Sequence, residues 1–218
     1  AQQYDAAVAE RNRAEDISRV LYPNDSTDEG KILRLKQQYF FCSASLQDII
    51  RKYKKTYGND FSHFAEMNAI QLNDTHPVIS IPELIRLLTD GEGLSFDAAL
   101  DICKQVFSYT NHTILAEALE KWSQHLMERT IPRVFHIIVM LDQYLGGELH
   151  QKGISGDKEY SMHILQHGTV HMAYMAIYCS RYVNGVAQIH TEILKNDVLR
   201  DWYQIYPEKF QNKTNGIT

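Results

Sequence analysis

A short apolar run passes directly into a polar one in the segment Ala69-Ile70-Gln71-Leu72-Asn73-Asp74-Thr75-His76-Pro77. The run at 69–72 has the length of a buried strand, and the polar residues with a proline behind them are typical of a loop. The segment therefore predicts a strand that ends at residue 72 or 73. Because α/β proteins place ligand-binding groups in the loops at strand ends, residues 73–76 are candidates for a site.

Helices are predicted on both sides of this strand. Apolar residues recur at helical spacing over 4–21 and 30–57, and these helices end before Pro23 and at Gly58. The same reasoning predicts helices at 81–88, 96–107, 117–122, 131–145, 171–178, 188–196 and 197–205. The helix at 131–145 is expected to end at Gly146-Gly147, whereas 108–113 is expected to be a polar break between helices and 183–186 a turn containing glycine. With short strands at 161–165 and from Phe210, the prediction is a helix-rich α/β fold.

The composition argues against several classes of protein. The chain of 218 residues carries 22 basic and 27 acidic side chains, a net charge of −5, which does not favour binding to nucleic acid. No stretch approaches about 18 uncharged apolar residues, so no membrane span is expected. Cys42, Cys103 and Cys179 stand far apart in apolar sequence, which predicts reduced core thiols in a cytoplasmic protein.

Ten histidines raise the question of a metal site. His163, His167 and His171 follow one another at intervals of four residues, but Gly168 argues against a continuous helix through them. Cysteines or carboxylates at zinc-ligand spacing do not accompany them, so no metal is expected. The sequence also lacks Gly-x-Ser-x-Gly, a phosphate-binding loop and Gly-x-Gly-x-x-Gly, which leaves no nucleophile or nucleotide motif.

Polar breaks rich in Asn, Asp, Thr and His follow apolar runs at 73–76, 110–113, 183–185 and 212–215. Side chains that both donate and accept hydrogen bonds are suited to the hydroxyl groups of a sugar. The same residue types also form ordinary turns and helix caps, and this reading stays open on composition alone.

Longer strings of the sequence resemble the α-glucan phosphorylases, the family of glycogen, starch and maltodextrin phosphorylases. The matching strings follow one another in family order at 14–25, 29–40, 69–77, 109–113, 117–122, 183–187 and 210–218. The resemblance implies a fold of two Rossmann-like domains facing across a cleft, the GT-B type. Residues 1–218 would form a single partial domain, the later part of the N-terminal domain. A first residue other than Met and an end within a predicted turn also lead us to expect a piece of a longer protein.

The resemblance implies an activity for that longer protein. It would transfer the terminal glucosyl unit of an α-1,4-glucan, glycogen or maltodextrin, to orthophosphate, giving α-D-glucose 1-phosphate. The implied cofactor is pyridoxal 5'-phosphate, bound to a lysine of the C-terminal domain outside this chain, so these residues alone are expected to be inactive. The implied partners are glucan, orthophosphate, the missing domain and a second subunit of a cytoplasmic homodimer.

The resemblance also implies roles for individual residues. His112 matches the family histidine that donates to the 6-hydroxyl of the glucosyl unit, with its carbonyl near the developing oxocarbenium charge, and is the implied catalytic residue. The residues implied to bind substrate are Asp74, His76, Asn111, Thr113, Asn184, Val186 and Asn215. Glu117 and Glu120 are implied to border the cleft that faces the other domain.

The chain departs from the family pattern in places. Ala116 replaces a family proline, which is expected to loosen the first turn of the helix predicted at Glu117, and Arg181 replaces a family histidine. Residues 54–68 lack the arginine-rich run of the animal enzymes, and 146–170 diverge at their glycogen-anchoring surface, so a bacterial type without AMP control is expected. A non-catalytic glucan-binding or assembly module, and a related retaining transferase with another acceptor, are the alternatives.

Overall fold

The computed structural model describes the backbone of residues 2–216 and the side chains of residues 5–216. Ile217 and Thr218, which end the last matching string, lie outside the described residues. The helices are α1 Gln2–Arg19, α2 Asp28–Tyr57, α3 Phe64–Met67, α4 Ser80–Arg86, α5 Phe96–Val106, α6 Gln124–Thr130, α7 Pro132–Gln151, α8 Asp157–Met162, α9 Met172–Cys179, α10 Gln188–Ile193 and α11 Arg200–Ile205. The strands are β1 Ile70–Asn73, β2 Phe107–Thr110, β3 Lys121–Ser123, β4 Leu165–Gln166, β5 Thr169–His171, β6 Tyr182–Gly185 and β7 Phe210–Asn212.

A parallel sheet of four strands in the order β1-β2-β6-β7 forms the centre of the molecule. Leu72 lies opposite Tyr109, which lies opposite Val183. All three side chains are buried, and helices connect the successive strands. The predicted helix-rich α/β fold is therefore confirmed, and so is the strand predicted at 69–72, which begins one residue later. Because the four strands run the same way, their carboxyl ends share one edge of the sheet.

The long helix α2 packs against the helices α1, α4 and α6. Thr27 Oγ1 caps its first turn by accepting a hydrogen bond of 3.1 Å from the Gly30 amide, and the helix ends where Gly58 has a φ of +59°. At the contact with α4, the fully buried Glu83 carboxylate accepts from Ser43 Oγ at 2.6 Å and from Arg86 at 2.7 and 2.8 Å. These bonds compensate the buried charge, so α2 has a defined position against α4.

A second, antiparallel sheet in the order β3-β5-β4 lies outside the parallel one. His167 and Gly168 join β4 to β5 with φ values of +49° and +72°, as the two central residues of a tight hairpin turn require. The three histidines at 163–171 therefore do not share a helix face. Across residues 2–216, no group of three or more His, Cys, Asp or Glu side chains is arranged to hold a metal ion.

The prediction of a helix at 117–122 is wrong. The segment contains a single 3-10 turn, Ala116–Ala118, and the strand β3. Trp122 lies opposite Val170 in the antiparallel sheet and is 6% exposed, so cross-strand pairing and burial of the indole override the helical preference of the sequence. No helix begins at Glu117 for a proline to strengthen, so the effect expected of Ala116 does not arise.

The predicted polar break at 108–113 and the predicted turn at 183–186 both lie partly in central strands. Residues 107–110 form β2 and residues 182–185 form β6. Their polar members satisfy one another across the sheet, since Thr110 Oγ1 donates to Asn184 Oδ1 at 2.8 Å. Thr110 and Asn184 are therefore half-buried members of paired strands.

Two further boundaries differ from those predicted. Helix α7 continues through Gly146 and Gly147 to Gln151, because Leu149 on its next turn is fully buried. Residues up to 162 of the strand predicted at 161–165 are helical, and the strand β4 contains only Leu165 and Gln166. None of the helices described between residues 2 and 216 has the length and apolar content needed to cross a bilayer. The thiols of the three cysteines are free and buried.

Candidate active site at the carboxyl edge of the parallel sheet

The loops that follow β1, β2, β6 and β7 meet at one edge of the parallel sheet. The Asp74 amide donates to the Thr110 carbonyl at 2.9 Å, and the Asn111 amide donates to the Asn184 carbonyl at 2.9 Å. The Asn215 amide donates to the Val186 carbonyl, also at 2.9 Å. Backbone hydrogen bonds thus connect the polar segments that were predicted as candidate sugar-binding sites.

Asp74 turns the chain sharply as it leaves β1. Its φ is +67°, a left-handed conformation that aspartate tolerates better than most residues, and its Oδ1 accepts from the Thr75 amide at 2.7 Å. The half-buried His76 ring follows, with its centroid 5.4 Å from that of Tyr22. The turn places Asp74 and His76 on the wall of the same cavity.

His112 is exposed just beyond β2 and is oriented by one hydrogen bond. Its Nε2 lies 2.6 Å from Asn73 Oδ1. An amide oxygen only accepts, so Nε2 carries a proton in this arrangement, and in the neutral form of the ring Nδ1 then has a free lone pair. The ring can therefore accept from a ligand hydroxyl at Nδ1, and ring rotation would exchange the Nε2 bond to Asn73 for one to a ligand.

Asn111 has a different surrounding. Its side chain is fully buried, its Nδ2 donates to Tyr109 Oη at 3.0 Å, and its Oδ1 accepts from the Thr113 amide at 2.9 Å. Burial raises the pKa of the Tyr109 hydroxyl above its ordinary value, which keeps it neutral. Both ends of the Asn111 amide are used within the protein, so this residue supports the loop.

The remaining polar residues of the edge differ in exposure. Asn184 Oδ1 accepts from Thr110 within the sheet, and its Nδ2 donates to the Gly185 carbonyl at 3.0 Å. Val186 is half-buried, whereas the side chain of Asn215 is exposed. Glu117 is exposed in the 3-10 turn.

A cavity of about 620 Å³ opens beside this edge. Of the predicted site residues, it is lined by Asp74, His76, Thr113 and Glu120. Those that do not line it are Asn111, His112, Glu117, Asn184, Val186 and Asn215. The predicted site residues therefore do not share one cavity: some line it, others lie in or just after the neighbouring strands, and Glu117 is exposed in its 3-10 turn.

Glu120 and Arg34 form the polar wall of the cavity. Arg34 Nη2 lies 3.4 Å from Glu120 Oε2, and Gln38 Nε2 donates to the same oxygen at 3.5 Å. Glu120 Oε1 and Arg34 Nε are buried and have no hydrogen-bond partner among the described residues. These two atoms are unsatisfied within the wall of the cavity. Arg34 lines this cavity but is not among the site residues predicted from the sequence, although it lies inside the matching string at 29–40.

Comparison with known proteins identifies the family. The family model described as Phosphorylase: Carbohydrate phosphorylase matches residues 1–218. The chain is 49% identical over 225 residues to the alpha-glucan phosphorylase H isozyme of Solanum tuberosum and 49% identical over 220 residues to glycogen phosphorylase 2 of Dictyostelium discoideum. It is 50% identical over 226 residues to the muscle form of glycogen phosphorylase of Rattus norvegicus.

Each of these alignments covers 99% of this chain but only 27%, 22% and 27% of the respective relative. The chain thus spans about a quarter of the length of these relatives. Since the family match includes every residue, and near-half identity extends over 99% of the sequence, the chain belongs to the carbohydrate phosphorylase family.

Proposed function

We propose that this chain is part of an α-1,4-glucan phosphorylase, referred to below as the whole protein. It transfers the terminal glucosyl unit of glycogen or maltodextrin to orthophosphate with retention and releases α-D-glucose 1-phosphate. The proposal rests on one observation: over 99% of its length, the chain is 49–50% identical in sequence to glycogen phosphorylases and an alpha-glucan phosphorylase. The donor and acceptor groups at the carboxyl edge of the sheet support it.

In this proposal the chain binds and orients the sugar. The neutral ring of His112 donates to the 6-hydroxyl of the glucosyl unit, and Asn215 binds the same sugar. The His112 carbonyl lies near the anomeric carbon and stabilises the positive charge of an oxocarbenium-like transition state. Asp74, His76 and Thr113 line the adjoining cavity. Holding the sugar in one orientation lowers the entropic part of the barrier.

The other predicted site residues support the groups that bind the sugar. Asn184 and Val186 shape the wall at the end of β6. Asn111 holds the loop that carries His112 and Thr113, as its buried bonds to Tyr109 and Thr113 support. Glu117 and Glu120 border the cleft towards the rest of the whole protein.

The cofactor of the whole protein is proposed to be pyridoxal 5'-phosphate, held by a lysine outside this chain, and its phosphate would supply proton transfer. The well-buried amine in this chain, Lys209 Nζ, donates to the carbonyls of Ile177 and Tyr178 at 2.8 and 2.9 Å. It is therefore committed to the end of helix α9 and does not fit an aldehyde-binding role.

The whole protein is proposed to be a cytoplasmic homodimer without AMP control. The lack of an arginine-rich run in 54–68 supports the last point. The relatives named above come from a plant, an amoeba and a mammal, so a bacterial source stays a prediction.

The test is release of glucose 1-phosphate from maltodextrin and orthophosphate by the whole protein loaded with pyridoxal phosphate. His112→Ala should lower kcat by more than about tenfold, a loss of about 1.4 kcal/mol of transition-state stabilisation. His136→Ala, an exposed histidine on α7, is the matched control and should leave kcat unchanged.

Absence of product from a folded, cofactor-loaded wild-type protein would contradict the proposal. Binding of maltooligosaccharide without turnover would then favour the glucan-binding module. Transfer of glucose to an acceptor other than phosphate would favour the related transferase.

A further inference from the structure

His190, in the first turn of α10, lies between two loops of the candidate site. The residue is 8% exposed. Its Nδ1 accepts a hydrogen bond of 3.0 Å from the Val186 amide in the loop after β6. Its Nε2 lies 2.9 Å from the Thr113 carbonyl in the loop after β2. One imidazole therefore bridges the loop after β6 and the loop after β2, although Thr113 lies 77 positions before His190 in the sequence.

The two partners of His190 define the state of the ring. A backbone amide only donates and a carbonyl only accepts, so Nδ1 carries the lone pair and Nε2 carries the proton. The neutral Nε2–H tautomer satisfies both bonds at once. Protonation of Nδ1 would set an N–H against the N–H of Val186, so the cationic ring fits only one of them.

The bridge extends to a third loop through the Val186 peptide. Val186 donates to His190 through its amide and accepts from the Asn215 amide at 2.9 Å through its carbonyl. Thr113, on the other side, has its amide held by Asn111 Oδ1 at 2.9 Å. Hydrogen bonds thus connect the His190 ring, directly or through one peptide, to the loops after β2, β6 and β7. Each of these loops carries a residue that the resemblance implies in sugar binding.

Gly185 permits the close approach of this ring. A Cβ atom on Gly185 would lie 3.0 Å from His190 Nδ1 and 2.5 Å from Thr191 Oγ1. The second distance is shorter than the contacts that Cβ atoms make in proteins, so a side chain at 185 would displace the start of α10 and the imidazole with it. The position of the His190 imidazole therefore depends on glycine at position 185.

We propose that His190 is a positioning residue for the phosphorolysis proposed above. It holds the loops bearing His112 and Thr113, Val186, and Asn215 at a fixed separation, without touching the sugar itself. This inference rests on the proposed function. The physical reason is that misplacement of binding groups by about 1 Å lowers turnover strongly even when the groups themselves are intact.

The test uses the whole protein and three substitutions of His190, which separate the contribution of its hydrogen bond to Val186 from that of its hydrogen bond to Thr113. His190→Phe keeps an aromatic ring and removes both bonds. His190→Asn places an acceptor near the position of Nδ1 and keeps the bond to Val186, whereas His190→Gln places a donor near the position of Nε2 and keeps the bond to Thr113. Glu192→Ala, on the exposed side of α10, is the matched control.

Two readouts are measured, namely kcat and KM for maltodextrin phosphorolysis and hydrogen exchange at the Val186 amide. His190→Phe should lower kcat by about tenfold or more and raise KM, and should speed exchange at Val186. His190→Asn should restore protection of the Val186 amide and part of kcat. His190→Gln should restore part of kcat without that protection, and Glu192→Ala should match the wild type in both.

A folded His190→Phe protein with wild-type kcat and KM would overturn the inference while the proposed function stands. If His190→Phe does not fold, equal kcat for the wild type, His190→Asn and His190→Gln would overturn it instead. A wild-type protein without activity would contradict the proposed function, and unchanged exchange at Val186 in His190→Gln would then separately contradict the bridge.

Discussion

A single buried amide, that of Asn111, links the centre of the parallel sheet to the candidate active site. Its two hydrogen bonds reach the Tyr109 hydroxyl and the Thr113 amide. Replacement of Asn111 by Ala leaves the buried Tyr109 hydroxyl without this partner, so we expect the free energy of unfolding to fall by about 1–3 kcal/mol. Urea denaturation followed by circular dichroism measures the change.

Two comparisons sharpen this test at Asn111. Asn196→Ala removes an exposed amide that donates to the Glu192 carbonyl at 2.8 Å and should change stability by less than about 0.5 kcal/mol. In a Tyr109→Phe background, part of the effect of Asn111→Ala should vanish, because the bond is already gone. Fully additive effects would contradict the role assigned to the bond.

Within helix α7, two neighbouring glycines have different surroundings. A Cβ atom on Gly147 would meet nothing within 4 Å, whereas one on Gly146 would lie 3.1 Å from Cε1 of His163. Alanine is preferred to glycine in a helix interior by about 0.5–1 kcal/mol, so Gly147→Ala should stabilise the protein by that amount. Thermal unfolding of the variant measures the gain.

Gly146→Ala is the matched variant for the same helix. His163 is held by a bond of 2.9 Å from Nδ1 to Asp142 Oδ2, so its ring cannot move away freely. We expect a smaller gain than at Gly147, or a loss. A Gly147→Ala protein with a lower Tm than the wild type would show that the helix does not continue through the glycine pair.

Over the whole molecule, acid stability should depend in part on His171. Burial lowers the pKa of this histidine from 6.5 to about 4, with Lys121 and His167 contributing. Lys121 lies opposite His171 where β3 pairs with β5. The unfolded chain takes up a proton near pH 6.5, whereas the folded protein does so only near pH 4. The unfolded state binds more protons between these values, so stability is lost as the pH falls from 6.5 to 4.

His171→Gln removes this titration. Its Tm should fall less than that of the wild type between pH 7 and about pH 4.5, while exposed His136→Gln should follow the wild type. Thermal unfolding at a series of pH values measures the difference. Parallel curves for the wild type and His171→Gln would show that the ring is protonated equally in both states.

The carboxyl edge of the sheet shows how much of a site can be predicted from local patterns. The strand ending at Asn73 and the following loop were predicted because an apolar run and a polar break are both local features. Strands β2 and β6 were missed, since Thr110 and Asn184 are polar and satisfy each other only once the strands pair. The roles expected of Asn184 and of the residues that follow Thr110 were implied by the resemblance to the family instead.

The sequence by itself determined the helix-rich α/β class, most of the helices, the first strand and the family. Apolar periodicity reports which face of a single element is buried, and long strings identify relatives without reference to space. Only the tertiary structure decided that Trp122 lies in a strand, that α7 passes its glycines, and that His190 joins Val186 to Thr113. Each of these depends on partners distant along the chain, whose contribution exceeds the local preference of the backbone.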